Sequence, residues 1–154
     1  MMNRTRSKYG VDITSKGKAK RTYKGITYDS ELELLFLKEV IEPGLISGEI
    51  ISYERQVVYE IQPGFTDYTG KKVLAVKYKS DFDVVYKDGH KIVWDCKGNA
   101  DATAILKRKL FKYRYPHIDY RWITRSLKYS ETGWIDYDDL QKIRRENKKK
   151  KSGT

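Results

Sequence analysis

Residues 80–98, "SDFDVVYKDGHKIVWDCKG", constrain the fold more than any other part of the chain. Apolar and polar residues alternate on both sides of Lys87-Asp88-Gly89, the pattern of two antiparallel strands joined by a tight turn. If those residues form a three-residue loop, Gly89 takes its left-handed position. Tyr86 then pairs with His90, Phe82 with Trp94, and Asp81 with Asp95. Phe82, Val84, Ile92, Trp94 and Cys96 share one apolar face, and Asp81, Asp83, Asp95 and Lys97 share the other. A two-residue Asp-Gly loop would instead set Asp81 against Cys96 and disperse the charged group.

Two opposed carboxylates destabilise a sheet unless a cation joins them. Oxygen donors of this kind suit a hard divalent ion such as Mg²⁺. A lysine beside that ion, here Lys97, could orient water or neutralise developing phosphate charge. The competing reading is a solvated strand pair with an ordinary Asp–Lys contact. Asp83 shares the predicted face and rivals Asp81 as a ligand.

Around the hairpin the pattern alternates between helix and strand. "YDSELELLFLKEVIEPG" predicts a helix with Ser30 as N-cap, stopped by Glu42-Pro43-Gly44. "GEIISYERQVVYEI" is extended, "QPGFTDYTGKK" is a loop or hairpin connection, and "VLAVKYKSDFDVVY" leads as one strand into the turn. "ADATAILKRKLFKYRYP" predicts a second helix ending before Pro116, "IDYRWIT" a strand, and "GWIDYDDLQKIRREN" a short last helix. The order α-β-β-β-α-β predicts an α/β domain, a mixed central sheet flanked by helices.

Charge divides the chain into three. Residues 1–24 carry +7 and residues 142–154 carry +6, so a total of +11 leaves −2 for residues 25–141. This predicts a flexible basic N-terminal arm (1–24), one globular domain (25–141) and a basic C-terminal tail (142–154). Polycationic ends suit attraction to a phosphate backbone; solubility is the plainer reading of such tails. No apolar run approaches a membrane span, and no signal-peptide core opens the chain. A single cysteine excludes an intramolecular disulfide and predicts a reducing, cytoplasmic setting.

"SELE" opening a helix, "SDFDVV" on a strand and "WDCKG" on the next resemble the PD-(D/E)xK nuclease superfamily over roughly residues 22–125. The likeness is to small phage-encoded endonucleases, including junction resolvases and Tn7-type transposase endonucleases. It implies a restriction-endonuclease-like core and Mg²⁺-dependent DNA hydrolysis, with Mn²⁺ able to substitute. It further implies Glu33, Asp81 and Asp95 as metal ligands, Lys97 as their catalytic partner and Gln56 in support. A homodimer acting on branched DNA, in a bacterial host's cytoplasm if phage-encoded, follows from the same likeness. Site-specific or transposon-end cleavage stays open, as do a non-catalytic DNA- or RNA-binding protein and a degenerate nuclease fold.

Ser80 stands where the superfamily has its namesake proline, and Cys96 is an unusual middle residue that period 2 turns toward the core. Glu33 also has the spacing of a capping box with Ser30, which would need no catalytic role. Glu31 reads as an exposed acid at a helix start, and His90 and His117 as surface residues. Lys107, Lys109 and Lys112 on the second helix are candidate DNA contacts, with a solvated basic face as the alternative.

Overall fold

The computed structural model describes residues 5–7 and 10–153. Arg4 and Lys8 of the expected basic arm lie outside the described residues. The rest of that segment contains a helix, α1 (Ser15–Lys20), and β1 (Thr22–Tyr23), which pairs just beyond it with β2 (Ile26–Thr27) in a small ribbon. Arg21 docks it. The buried guanidinium donates from Nε to the Tyr28 carbonyl at 2.7 Å and from Nη1 to the Asp12 carbonyl at 2.5 Å.

Ser30 caps the next helix as its sequence predicts, accepting from the Glu33 N–H at 3.1 Å. The helix runs as α2 (Glu31–Phe36), a π-turn over Leu37–Ile41, and α3 (Glu42–Ser47). It does not stop at Glu42-Pro43-Gly44. Pro43 falls in the first turn of α3, directly after the π-turn, and the helix ends at Gly48 in the left-handed conformation.

The central sheet joins β3 (Ile50–Arg55), β8 (Phe82–Tyr86), β9 (Lys91–Cys96), β10 (Asp119–Arg125) and β11 (Trp134–Asp136), with β11 and β3 at the edges. Only β9 and β10 run parallel, across α4 (Ala102–Arg114). The protein is thus α/β, with a five-stranded mixed sheet flanked by helices in the predicted order α-β-β-β-α-β. The chain then adds β11 and α5 (Tyr137–Ser152). Trp134, Ile135 and Asp136 pair with β10 rather than opening the last helix. The Asp136 carboxylate caps α5, which continues through the lysines; they complement its C-terminal dipole.

Two long strands are broken where the chain leaves and rejoins the central sheet. Between β3 and β8 the chain forms β4 (Val58–Gln62), β5 (Phe65–Thr66), β6 (Lys72–Val73) and β7 (Val76–Lys79). β4 pairs with β7 and β5 with β6, so the sequence-predicted strand over 73–86 is split at Leu74-Ala75 and at Ser80-Asp81. The register carries through the break. Tyr53 faces Val84, and Val58 faces Lys79, with Gln56 opposite Asp81 between them. Gln56 sits at φ 54, and its N–H reaches the Asp81 carbonyl at 3.3 Å. That left-handed residue kinks one long ribbon out of the central sheet and over α4.

Both faces of the hairpin are consequently covered. Phe82, Val84 and Cys96 pack with Phe36 and Leu37, while Val93 packs opposite with Phe111, Tyr78 and Tyr120. Each fully buried phenylalanine contributes roughly 2–3 kcal/mol. The predicted charged face is therefore not solvated, and Asp83 and Asp95 are only 3% and 6% exposed.

Candidate active site

The turn adopts the three-residue register. Phe82 pairs with Trp94, the Tyr86 N–H donates to the His90 carbonyl at 2.8 Å, and Gly89 stands at φ 83. Carried one residue past the Phe82–Trp94 pair, that register sets Asp81 opposite Asp95, and the Asp81 N–H donates to the Trp94 carbonyl at 3.2 Å. Asp81 sits at the ribbon's kink, and its Oδ2 accepts the Cys96 N–H at 2.7 Å. Asp95 and Lys97 lie where β9 leaves its parallel pair with β10 and turns toward α4. The ends of parallel strands place side chains beside a crevice in this way.

A cleft of about 630 Å³ opens there. Glu33, Asp81, Asp95 and Lys97 line it together with Asp29, Ser30 and the turn Gly98–Asp101 leading into α4. Gly10 and Val11 of the N-terminal segment close one side. Lys97 Nζ lies 3.1 Å from Asp95 Oδ1. The other Asp95 oxygen accepts from the Tyr78 hydroxyl at 3.1 Å and the Tyr120 hydroxyl at 3.3 Å. Trp122 Nε1 donates in turn to the Tyr120 oxygen at 2.7 Å.

Burial and the crowding of acids perturb the carboxyls of the cleft. Burial pushes the Glu33 carboxyl up to about 7, and the charges of Asp29 and Asp95 add to it while Arg55 opposes them. Burial raises the Asp81 carboxyl well above its ordinary value, with Asp95 and Glu33 adding and the Cys96 N–H and Lys97 opposing. Burial also raises the Tyr78 and Tyr120 hydroxyls, so both stay protonated as donors to Asp95. Arg55 stacks 4.1 Å from the Tyr28 ring, and its buried Nε has no hydrogen-bond partner.

The other predicted residues fall in different places. Asp83 shares the Asp95 side of the strand but is enclosed outside the cleft. It accepts from the Tyr59 hydroxyl, from Ser80 Oγ at 2.6 Å, and from Lys91 Nζ at 3.1 Å. Geometry thus separates it from Asp81. Gln56 lies in the kink rather than on a strand, and reaches the site indirectly through Nε2 to Asp29 Oδ2 at 3.0 Å. Lys107 donates to the Lys77 carbonyl at 3.0 Å and ties α4 to the ribbon, whereas Lys109 and Lys112 are exposed. His90 pairs with Asp119 at the surface, far along the hairpin from the cleft. Cys96 is buried, and burial raises its thiol.

Asp29, Tyr78 and Tyr120 escape sequence reasoning. Tyrosines at strand positions read as packing, and only the folded register brings these two hydroxyls to one carboxylate. Among the described residues no three His, Cys, Asp or Glu side chains form a ready cation cage. The cleft nevertheless gathers three carboxylates, the oxygen-donor chemistry that a hard cation takes; burial first, and then neighbouring acids, hold Glu33 and Asp81 toward the neutral form.

Residues 13–131 match the family described as "Protein of unknown function (DUF1064)". The chain belongs to the DUF1064 family. The match takes in all of the cleft residues except Gly10 and Val11, and ends before β11 and α5. No curated protein and no solved structure matches the chain.

Proposed function

We propose that this chain is a metal-dependent endonuclease that hydrolyses DNA phosphodiesters, acting as a homodimer on branched DNA. The observation that carries the reading is that Asp81, one residue past the Phe82–Trp94 pair, lines one cleft with Asp95, Glu33 and Lys97. A buried carboxylate cluster costs stability in a protein with no use for it.

Glu33, Asp81 and Asp95 would hold Mg²⁺ or Mn²⁺, which supplies charge neutralisation and polarises a phosphoryl oxygen. Lys97 offers a cation to the developing phosphate charge and a donor that orients water; its contact with Asp95 fixes its reach. Tyr78 and Tyr120 hold the Asp95 carboxylate from behind. The N-terminus of α4, capped by Asp101, presents its positive dipole end to the same cleft, which favours a phosphate there. The basic segments supply attraction to the backbone without sequence reading.

The test is cleavage of end-labelled four-way junction, flap and linear duplex DNA with Mg²⁺ or Mn²⁺, beside EDTA. Cutting that requires the ion supports the reading. A chain that binds these DNAs and never cuts them with either ion is a non-catalytic nucleic-acid binder instead.

A further inference from the structure

The kinked ribbon has a use that the cleft does not explain. Near the kink it is packed: Tyr59, Ile61 and Tyr78 sit against Phe111, and the Tyr115 hydroxyl donates to the Glu60 carbonyl at 2.8 Å. Beyond Gln62 it leaves the body. Phe65 is 51% exposed, Leu74 84%, and Tyr68 at the tip is wholly in solvent.

The tip is nevertheless rigidly built. Asp67 Oδ1 accepts from the Thr69 N–H at 2.8 Å, the Thr69 hydroxyl at 2.7 Å and the Lys71 N–H at 3.0 Å. The Asp67 N–H donates to the Lys71 carbonyl at 2.8 Å. These bonds hold the Asp67 carboxyl below its ordinary value and commit its charge to the turn. What the tip offers outward is an aromatic ring beside two cations, since Lys71 and Lys72 have no ion-pair partner among the described residues. An ordered turn that spends its only carboxylate internally and displays a tyrosine beside two lysines complements a polyanion with accessible π-faces.

We propose that this tip is a second DNA contact, in which Tyr68 stacks on an unpaired base and Lys71 and Lys72 hold the flanking phosphates. The inference rests on the DNA reading above and sharpens its substrate class to DNA with an unstacked base away from the cut. Lys79, two residues before Asp81, is nine residue steps from Gly70 in the turn, a span of at most roughly 30 Å at strand rise. The tip therefore engages DNA up to almost one helical turn from the cleft, where a branch or gap would supply such a base.

The test uses the full chain in EDTA, with fluorescence anisotropy on a four-way junction and a matched linear duplex. The junction carries 2-aminopurine at its branch point. Tyr68→Ala should weaken junction binding about tenfold, leave duplex binding within about twofold, and abolish the 2-aminopurine quenching that wild type produces. Tyr68→Phe should behave as wild type. Joint Lys71→Ala and Lys72→Ala should weaken both DNAs alike and lower the salt slope by about two. Unchanged junction affinity and quenching in Tyr68→Ala overturns this inference alone. Wild type binding neither DNA overturns the nucleic-acid reading beneath it as well. Conversion of a dimer to a monomer by Tyr68→Ala would make the tip a contact between copies, and would equally overturn it.

Discussion

Asp81 stands across the hairpin from Asp95, held by its own N–H to the Trp94 carbonyl at 3.2 Å and by the Cys96 N–H to its carboxylate at 2.7 Å. Neither carboxylate can turn away to solvent: Asp95 is clasped by Lys97, Tyr78 and Tyr120. The backbone thus forces two acids together and then buries them beside a third, Glu33.

Stability should fall as pH rises through the Glu33 transition. Its folded value, about 7, lies above the ordinary 4.5, so the folded state binds the proton more tightly. The favourable contribution is complete below pH 4.5 and is lost as pH rises to about 7. The full loss is about 3 kcal/mol. Thermal melts in EDTA should show wild type losing stability relative to Glu33→Gln across this window. Parallel pH curves for the two proteins would refute the assignment.

Asp83→Asn should separate structure from chemistry. The change removes a charged acceptor from Tyr59, Ser80 and Lys91, outside the cleft. Melting should report a loss of about 1–3 kcal/mol, while cleavage below the melting temperature persists. Loss of cutting by a folded Asp83→Asn, with Asp81→Asn still active, would reverse the ligand assignment.

Removing the hydroxyls behind Asp95 should weaken the cation site without emptying it. Tyr78→Phe with Tyr120→Phe should raise the Mg²⁺ concentration for half-maximal cutting by about 10–100-fold. A titration midpoint equal to wild type would show that these hydroxyls serve packing alone.

Much of this geometry is legible in the residues. Period-2 alternation and Gly89 are enough to predict the register of Asp81 on Asp95, because a one-residue slip would turn Phe82 and Val84 out of the core. Ser30 is likewise visible as a cap before its helix is seen. The Gln56 kink is not legible, since nothing local marks a glutamine for φ 54; its position depends on where the ribbon must leave the sheet to cover α4. The same non-local event hides Tyr78 and makes the Asp83–Asp95 face look solvated when helix and ribbon bury it. Lys107 reads as a DNA contact for the same reason: the strand whose carbonyl it binds is 30 residues away in sequence.

The most direct test of the central claim is metal-dependent cutting by Lys97→Ala and Asp81→Asn, measured beside DNA affinity on the same junction substrate. Both variants should bind DNA within about threefold of wild type and cut it at least about a hundredfold more slowly, as expected when a group that stabilises transition-state charge is lost. Wild-type cutting rates in either folded variant would contradict the account.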